Sequence, residues 1–151
     1  MEKSKRPGGL TFFAIINFIL AFLSIAGAGL LFISIAFVGQ IPMENMTEAQ
    51  RTSVETLKNM PASSLIFSIS RSVIGGILLL LAGIGYLKQN RVLGYIIGNV
   101  YVAAMIIYTV LSPFILGAAV KKGIISSFVA LLYPVITLIV LNFIYRKNFN
   151  E

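Results

Sequence analysis

The chain has 151 residues, of which 58% are apolar and 11% are charged, whereas a soluble domain carries about 25% charged residues. Its 12 Lys and Arg against 5 Glu give a net charge of +7, and the sequence contains no Asp, His, Cys or Trp. We therefore exclude thiol or histidine catalysis, disulfides and His or Cys metal sites, and we expect no catalytic residues, no metal and no cofactor.

The charged residues are clustered, and long uncharged runs separate the clusters. The runs hold 37, 12, 16, 29 and 23 residues, and only Arg71 separates the runs of 12 and 16. A helix needs about 20 apolar residues to cross ~30 Å of hydrocarbon. Three runs are long enough alone, and the two short ones suffice if Arg71 lies inside one helix. The sequence predicts a single all-α transmembrane domain over residues 1–151, an up-down bundle of four membrane helices at 10–38, 63–87, 92–116 and 124–145.

The first predicted helix follows a basic segment, as the apolar part of a signal peptide does. Ala26-Gly27-Ala28 also has the small-residue pattern of a cleavage site. The apolar stretch continues from Leu30 to Val38, however, so cleavage there would leave an apolar new terminus. We predict that this helix stays uncleaved and spans the membrane.

Residues 43–60 have the pattern of an amphipathic helix between the first two membrane helices. Apolar residues recur mostly at steps of three, and charged residues recur at steps of three or four on the opposite side. Thr47 precedes Gln50 by three residues, which is the spacing of a capping box. We predict an outer helix that lies on the bilayer or caps the bundle, and docking of a partner protein is the alternative.

Arg71 is the one charged residue inside a predicted membrane helix. A charge costs at least ~2.5 kcal/mol at the bilayer centre, and less toward a helix end, where a long side chain reaches the headgroups. No acidic residue falls in any predicted membrane helix. One interpretation is a side chain that extends to the headgroups or pairs with a loop glutamate. The other is an anion or lipid-headgroup site that faces the bundle interior.

Small residues recur on one face of several predicted helices. Alanines lie seven apart in the first helix, two glycines lie seven apart in the second, and the third contains a GxxxG pattern. Close backbone approach drives helix association in lipid, because hydrophobic burial gives no advantage there. We predict packing inside one bundle, with a subunit interface as the alternative. The candidate packing residues are Ala14, Ala21, Ala28, Gly75, Gly76, Gly83, Gly94 and Gly98.

Asn17, Asn99 and Asn142 are amide side chains inside the first, third and fourth predicted helices. Interhelical hydrogen bonds of this kind contribute ~0.6 kcal/mol on average. We interpret these residues as packing contacts, and a polar path for a substrate is the alternative. Pro113 and Pro134 lie inside the third and fourth helices and are expected to kink them.

The basic residues are unevenly distributed between the two sides. If both termini are inside, the inner segments hold seven Lys or Arg and the outer segments hold four. The positive-inside rule then predicts a multi-pass cell-membrane protein with cytoplasmic N- and C-termini, most simply in a bacterial inner membrane. These residues lie in short tails and turns, so we expect membrane lipids and no nucleic acid as partners.

Three stretches carry a family resemblance. Arg-Pro-Gly-Gly-Leu-Thr at residues 6–11, leading into an apolar helix, resembles the start of many small uncharacterised prokaryotic membrane proteins. Residues 83–88, before a short basic turn, and residues 132–142, with Leu-Tyr-Pro followed by Leu-Asn, are similar to later parts of such proteins. The resemblance implies four membrane helices and no known activity.

Water-exposed sequence is too short for a separate catalytic domain, which takes ~50 residues or more. Proton-coupled carriers usually hold an Asp, Glu or His in the membrane, and the predicted helices contain none. We therefore predict an accessory or structural subunit that acts by helix packing and by binding a partner membrane protein or a second copy. The alternative is a small transporter or channel component with a polar path near Arg71.

Overall fold

The computed structural model describes residues 7–38, 40, 46–116, 124–146 and 149, and this part of the chain is all-helical. Five α-helices follow one another in sequence, and short π-helical segments begin the fourth and extend the fifth. The long helices begin and end within two residues of the predicted positions. The elements are α1 (Gly8–Phe37), α2 (Glu48–Lys58), α3 (Ala62–Lys88), a π-helical segment (Arg91–Ile96), α4 (Ile97–Leu116), α5 (Ile124–Ile139) and a second π-helical segment (Val140–Ile144).

Three of the described helices are long and apolar enough to cross a membrane. They are α1, α3 and the continuous helical stretch Arg91–Ile115, with mean hydropathies of 2.5, 2.1 and 1.7. A shorter apolar stretch, Leu131–Ile144, belongs to α5 and the π-helical segment after it. The membrane class predicted from the uncharged runs is therefore confirmed by length and composition for three helices.

Large apolar side chains cover the outside of the helices. Phe22, Phe114 and Phe143 are 72%, 81% and 84% exposed, and many Ile and Leu residues accompany them. The buried positions include small and polar residues such as Ala14 and Asn17. This distribution suits a hydrocarbon solvent, because exposed apolar side chains cost nothing in lipid whereas exposed amides do.

Each long helix packs mainly against the long helix that precedes or follows it, since the short α2 does not enter the core. The most extensive contact joins α1 to α3, and further contacts join α3 to α4 and α4 to α5. Two groups of buried apolar residues fill the interior. One contains Leu10, Ala14, Ala82, Tyr86, Leu141 and Phe149. The other contains Ala21, Leu79, Tyr101, Val102 and Met105.

A tight turn links α3 to the next helix. Gln89 adopts a left-handed conformation (φ 50°), and the Asn90 N–H donates to the Gly85 carbonyl at 3.0 Å. The Asn90 side chain then accepts a hydrogen bond from the Leu93 N–H at 2.9 Å and so caps the new helix. The sequence predicts a regular helix from residue 92, but the structure begins it with a π-helical turn that lays Gly94 against Gly85.

Helix α2 is the short helix expected between the first two long apolar helices. Thr47 accepts from the Gln50 N–H, and the Gln50 side chain accepts from the Thr47 N–H, so the capping box is confirmed. The helix is shorter than the predicted 43–60, because this cap fixes its start at Glu48. Residues 43–45 of the prediction lie outside the described residues. None of the α2 residues is buried.

Candidate functional site

The small residues of α1 and α3 meet along one contact, which we call the α1–α3 seam. A Cβ atom added to Gly76 would lie 3.3 Å from the Ala21 carbonyl oxygen and 2.7 Å from the Ile25 side chain. A Cβ atom added to Gly83 would lie 3.4 Å from the Ala14 carbonyl oxygen. The seven-residue spacing on each helix therefore places one small residue against another at two successive levels.

The remaining predicted packing residues are also buried, but they face different partners. Ala28 is 5% exposed in the C-terminal half of α1, and Gly75 faces the Met105 side chain of α4. Gly94 and Gly98, the GxxxG pair, do not meet another glycine pair in the membrane. Gly94 lies against the Gly85 backbone, and Gly98 lies beside the Tyr86 hydroxyl group and the Leu141 side chain.

Gly85 is the packing residue with the least room. An added Cβ atom would overlap the backbone of Leu93 and Gly94, which a side-chain movement cannot relieve. Gly85 is not among the packing residues predicted from the sequence, although it lies two residues after Gly83. Its role follows from the turn geometry, in which the chain reverses within a few residues and brings two backbones together.

Arg71 lies half-buried in α3, on the side that faces α4. Ser64, seven residues earlier, donates to the Ile115 carbonyl of α4 at 3.2 Å, and Gly75, four residues later, also faces α4. Among the described residues, Arg71 forms no ion pair with a glutamate. Both interpretations of Arg71 therefore stay predictions.

Asn99 and Asn142 join one hydrogen-bonded group with Tyr95, which we call the Asn142 network. The Tyr95 hydroxyl donates to Asn142 Oδ1, and Asn142 Nδ2 donates to Asn99 Oδ1, both at 2.8 Å. Asn99 Nδ2 donates to the Tyr95 carbonyl at 2.8 Å, and Asn142 Nδ2 also donates to the Leu138 carbonyl at 2.9 Å. Both side-chain amides of this network therefore have partners, and the network joins α4 and its π-helical start to the π-helical segment that follows α5.

Asn17 belongs to a second polar group, which we call the Asn17 cluster and which contains Asn17, Tyr86, Tyr133 and Thr137. The Tyr133 hydroxyl of α5 donates to Asn17 Oδ1 of α1. Thr137 lies one helical turn after Tyr133 on α5, and Tyr86 belongs to the same buried group as Ala14, one turn before Asn17. Asn17, Tyr86 and Thr137 are 1%, 1% and 2% exposed. Asn17 Nδ2, the Tyr86 hydroxyl and Thr137 Oγ1 have no hydrogen-bond partner among the described residues.

The Asn17 cluster also has an aromatic neighbour on α4. The Tyr101 and Tyr133 rings lie 6.4 Å apart at their centroids. The sequence predicts Tyr86 as an interfacial ring at a helix end and Tyr101 and Tyr133 as ordinary helix residues, whereas Tyr86 is buried in the structure. Their i, i+4 and interhelical partners become visible only when the helix orientations are known, since each ring reaches about one helical turn from its own backbone.

An open groove of about 900 Å³ runs along the surface between α3 and α4. Its lining is mainly apolar, with Ser63, Ser70 and Tyr108 as the polar members, and Arg71 does not line it. The groove therefore offers no polar cavity that converges on the arginine. No family model, curated protein or solved structure matches the chain, so the site has to be interpreted from its own residues.

Proposed function

We propose that this chain is a four-span integral membrane protein of the cell membrane, with both termini in the cytoplasm, and that it serves as an accessory or structural subunit without enzyme activity. The fourth span would be formed by α5 and the π-helical segment after it, which hold 16 and 5 residues. The accessory role includes binding a partner membrane protein or a second copy, together with membrane lipids.

The observation that carries the proposal is the state of α2. It is a capped helix of 11 residues with none of its side chains buried. Its apolar residues Val54 and Leu57 are half-buried, while the residues between them are exposed. A helix that is capped by its own residues and does not enter the core has a surface that is available to bind a partner outside the bundle.

The packing of the spans agrees with a role in assembly. The α1–α3 seam and the Asn142 network use the small and amide residues for contacts between helices of this chain. Among the described residues, no group of three or more His, Cys, Asp or Glu gathers to hold a metal.

Purification in mild detergent, followed by mass spectrometry of co-purifying chains, tests the proposal. We expect a partner protein with the natural chain, and its loss with Leu57→Gln on the apolar side of α2. Thr56→Gln, which changes the exposed side of the same helix, is the matched control and should retain the partner. Recovery of the chain without any partner, or equal recovery with both variants, would contradict the role of α2.

The second candidate is a small transporter or channel component. It rests on a row of polar side chains in which the Tyr101 ring lies 6.4 Å from the Tyr133 ring and Tyr133 donates to Asn17. Arg71 lies on the side of α3 that faces α4, the helix that carries Tyr101. If the row conducts ions or polar solutes, the chain reconstituted alone in liposomes should give a flux that Arg71→Ala abolishes and that Lys58→Ala, in α2, leaves unchanged. The absence of any flux with the natural chain would remove this candidate.

A further inference from the structure

We propose that the Asn17 cluster binds a water molecule inside the bundle, between α1, α3 and α5. The inference concerns a buried hydration site and holds for either proposed function, provided that these helices span the membrane.

The hydrogen-bonding capacity of the cluster is only partly used. Three of its polar atoms, Asn17 Nδ2, the Tyr86 hydroxyl and Thr137 Oγ1, are buried and have no partner among the described residues. A buried polar group without a partner is costly, and hydrocarbon outside the bundle cannot supply one. These atoms belong to three different helices, so no local backbone rearrangement of one helix satisfies all of them.

The unpaired atoms share one neighbourhood. The Tyr133 hydroxyl donates to Asn17, and Thr137 lies one helical turn after Tyr133 on the same helix. Tyr86 belongs to the same buried group as Ala14, which lies one turn before Asn17. A buried water typically makes about three hydrogen bonds to groups that would otherwise be unsatisfied.

The hydrogen-bonding capacity and the lack of charge of these residues indicate which ligand fits the site. Asn17 Nδ2 can only donate, whereas the Tyr86 and Thr137 hydroxyl groups can both donate and accept. None of the four residues carries a charge, so a bound ion would have no opposite charge to offset its desolvation. A neutral molecule that accepts from the amide and exchanges hydrogen bonds with two hydroxyl groups is required, and water meets both conditions.

The Asn142 network provides the internal contrast. It also lies between helices, but its amides and the Tyr95 hydroxyl already satisfy one another. The argument for a bound water therefore applies to the Asn17 cluster and not to every polar group in the bundle.

Hydroxyl-radical labelling by X-ray radiolysis of the full chain in detergent, read out by mass spectrometry, tests the site. Radicals form from water, so a buried side chain is labelled only if water lies beside it. We expect labelling of Tyr86 and Tyr133, and much slower labelling of Met105. Met105 is 7% exposed in the other apolar group and is intrinsically easy to oxidise, which makes it a strict control.

Thr137→Val removes one hydroxyl group with little change of shape, and it should lower the labelling rate of Tyr86 and Tyr133 at least threefold. Ser70→Ala, which removes a hydroxyl group at the α3–α4 groove, should leave those rates unchanged. Circular dichroism of each variant establishes that the helices are retained. If Tyr86 and Tyr133 are labelled as slowly as Met105, or if Thr137→Val and Ser70→Ala behave alike, the proposal is wrong.

Discussion

The α1–α3 seam and the attachment of α5 hold helices together in two different ways. Along the seam, glycine and alanine bring two backbones to within contact distance. At α5 and the π-helical segment after it, side chains form hydrogen bonds, Tyr133 with Asn17 and Asn142 with Tyr95 and Asn99. In lipid, the first mode depends on shape and the second on matching donors to acceptors, so the two should respond to different substitutions.

The largest effect is expected where backbone meets backbone. Gly85→Ala should destabilise the folded chain by about 3 kcal/mol or more, because the new methyl group overlaps the Leu93–Gly94 backbone and no side chain can move aside. Thermal or SDS-induced unfolding in detergent, followed by circular dichroism, gives the measurement.

The matched control for Gly85→Ala is Gly29→Ala. Gly29 lies in α1 with nothing within 4 Å of an added Cβ atom, so the alanine should be neutral or stabilising through its higher helix propensity. Equal destabilisation by the two variants would show that the Gly85–Gly94 contact is not close in the membrane protein.

A substitution in the seam should have the next largest effect. Gly76→Val adds atoms that meet the Ile25 side chain and the Ala21 carbonyl, and we expect a loss of about 2 kcal/mol, since Ile25 can partly move. Gly27→Val makes the same change at a position with open space and should cost much less. If the two variants unfold at the same midpoint, the seam does not hold α1 to α3.

The Asn142 network should be weaker than the seam. Asn142→Leu removes hydrogen bonds to Tyr95 and Asn99, and we expect a loss of about 1 kcal/mol, within the range measured for interhelical hydrogen bonds in membranes.

A double-mutant cycle separates hydrogen bonding from packing in this network. Tyr95→Phe and Asn142→Leu should give a coupling energy of about 0.5 kcal/mol or more, because the Tyr95 hydroxyl donates directly to Asn142. Additive effects of the two substitutions would mean that the hydrogen bond contributes nothing to stability.

A gain in stability is expected at the turn that connects Gly85 to Gly94. Gln89 has a positive φ of 50°, and a glycine there should raise stability by up to about 1 kcal/mol by relieving the left-handed strain. Gln89→Ala removes the same side chain but keeps the strain, so it should not stabilise. A gain with alanine as large as that with glycine would assign the effect to the buried amide, whose Nε2 lacks a partner among the described residues.

Much of the fold could be predicted because the bilayer sets the length of its helices. The uncharged runs gave α1, α3 and the α4 stretch to within two residues, since charged residues mark where hydrocarbon ends. The start of α2 could be predicted from Thr47 and Gln50 as a cap, but the apolar pattern extended the helix too far toward its N-terminus. The π-helical start at Arg91–Ile96 has no sequence signal, because it follows from contact with Gly85.

The candidate site could be predicted only where spacing along one helix decides the outcome. A seven-residue repeat places Ala14 and Ala21 on one face of α1, and it places Gly76 and Gly83 on one face of α3. The structure brings these two faces into contact. The Asn17 cluster combines α1, α3 and α5, and its members depend on helix rotation and on how far Tyr86 and Tyr133 reach. Neither quantity can be read from a single sequence, so these residues stand out only in the structure.

Phe149 connects the carboxyl end of the chain to the bundle. Its ring is 8% exposed, lies 6.1 Å from the rings of both Tyr86 and Tyr95, and occupies the space above Gly94. The packing at the turn between α3 and the next helix therefore depends on a side chain that lies outside all of the described helices.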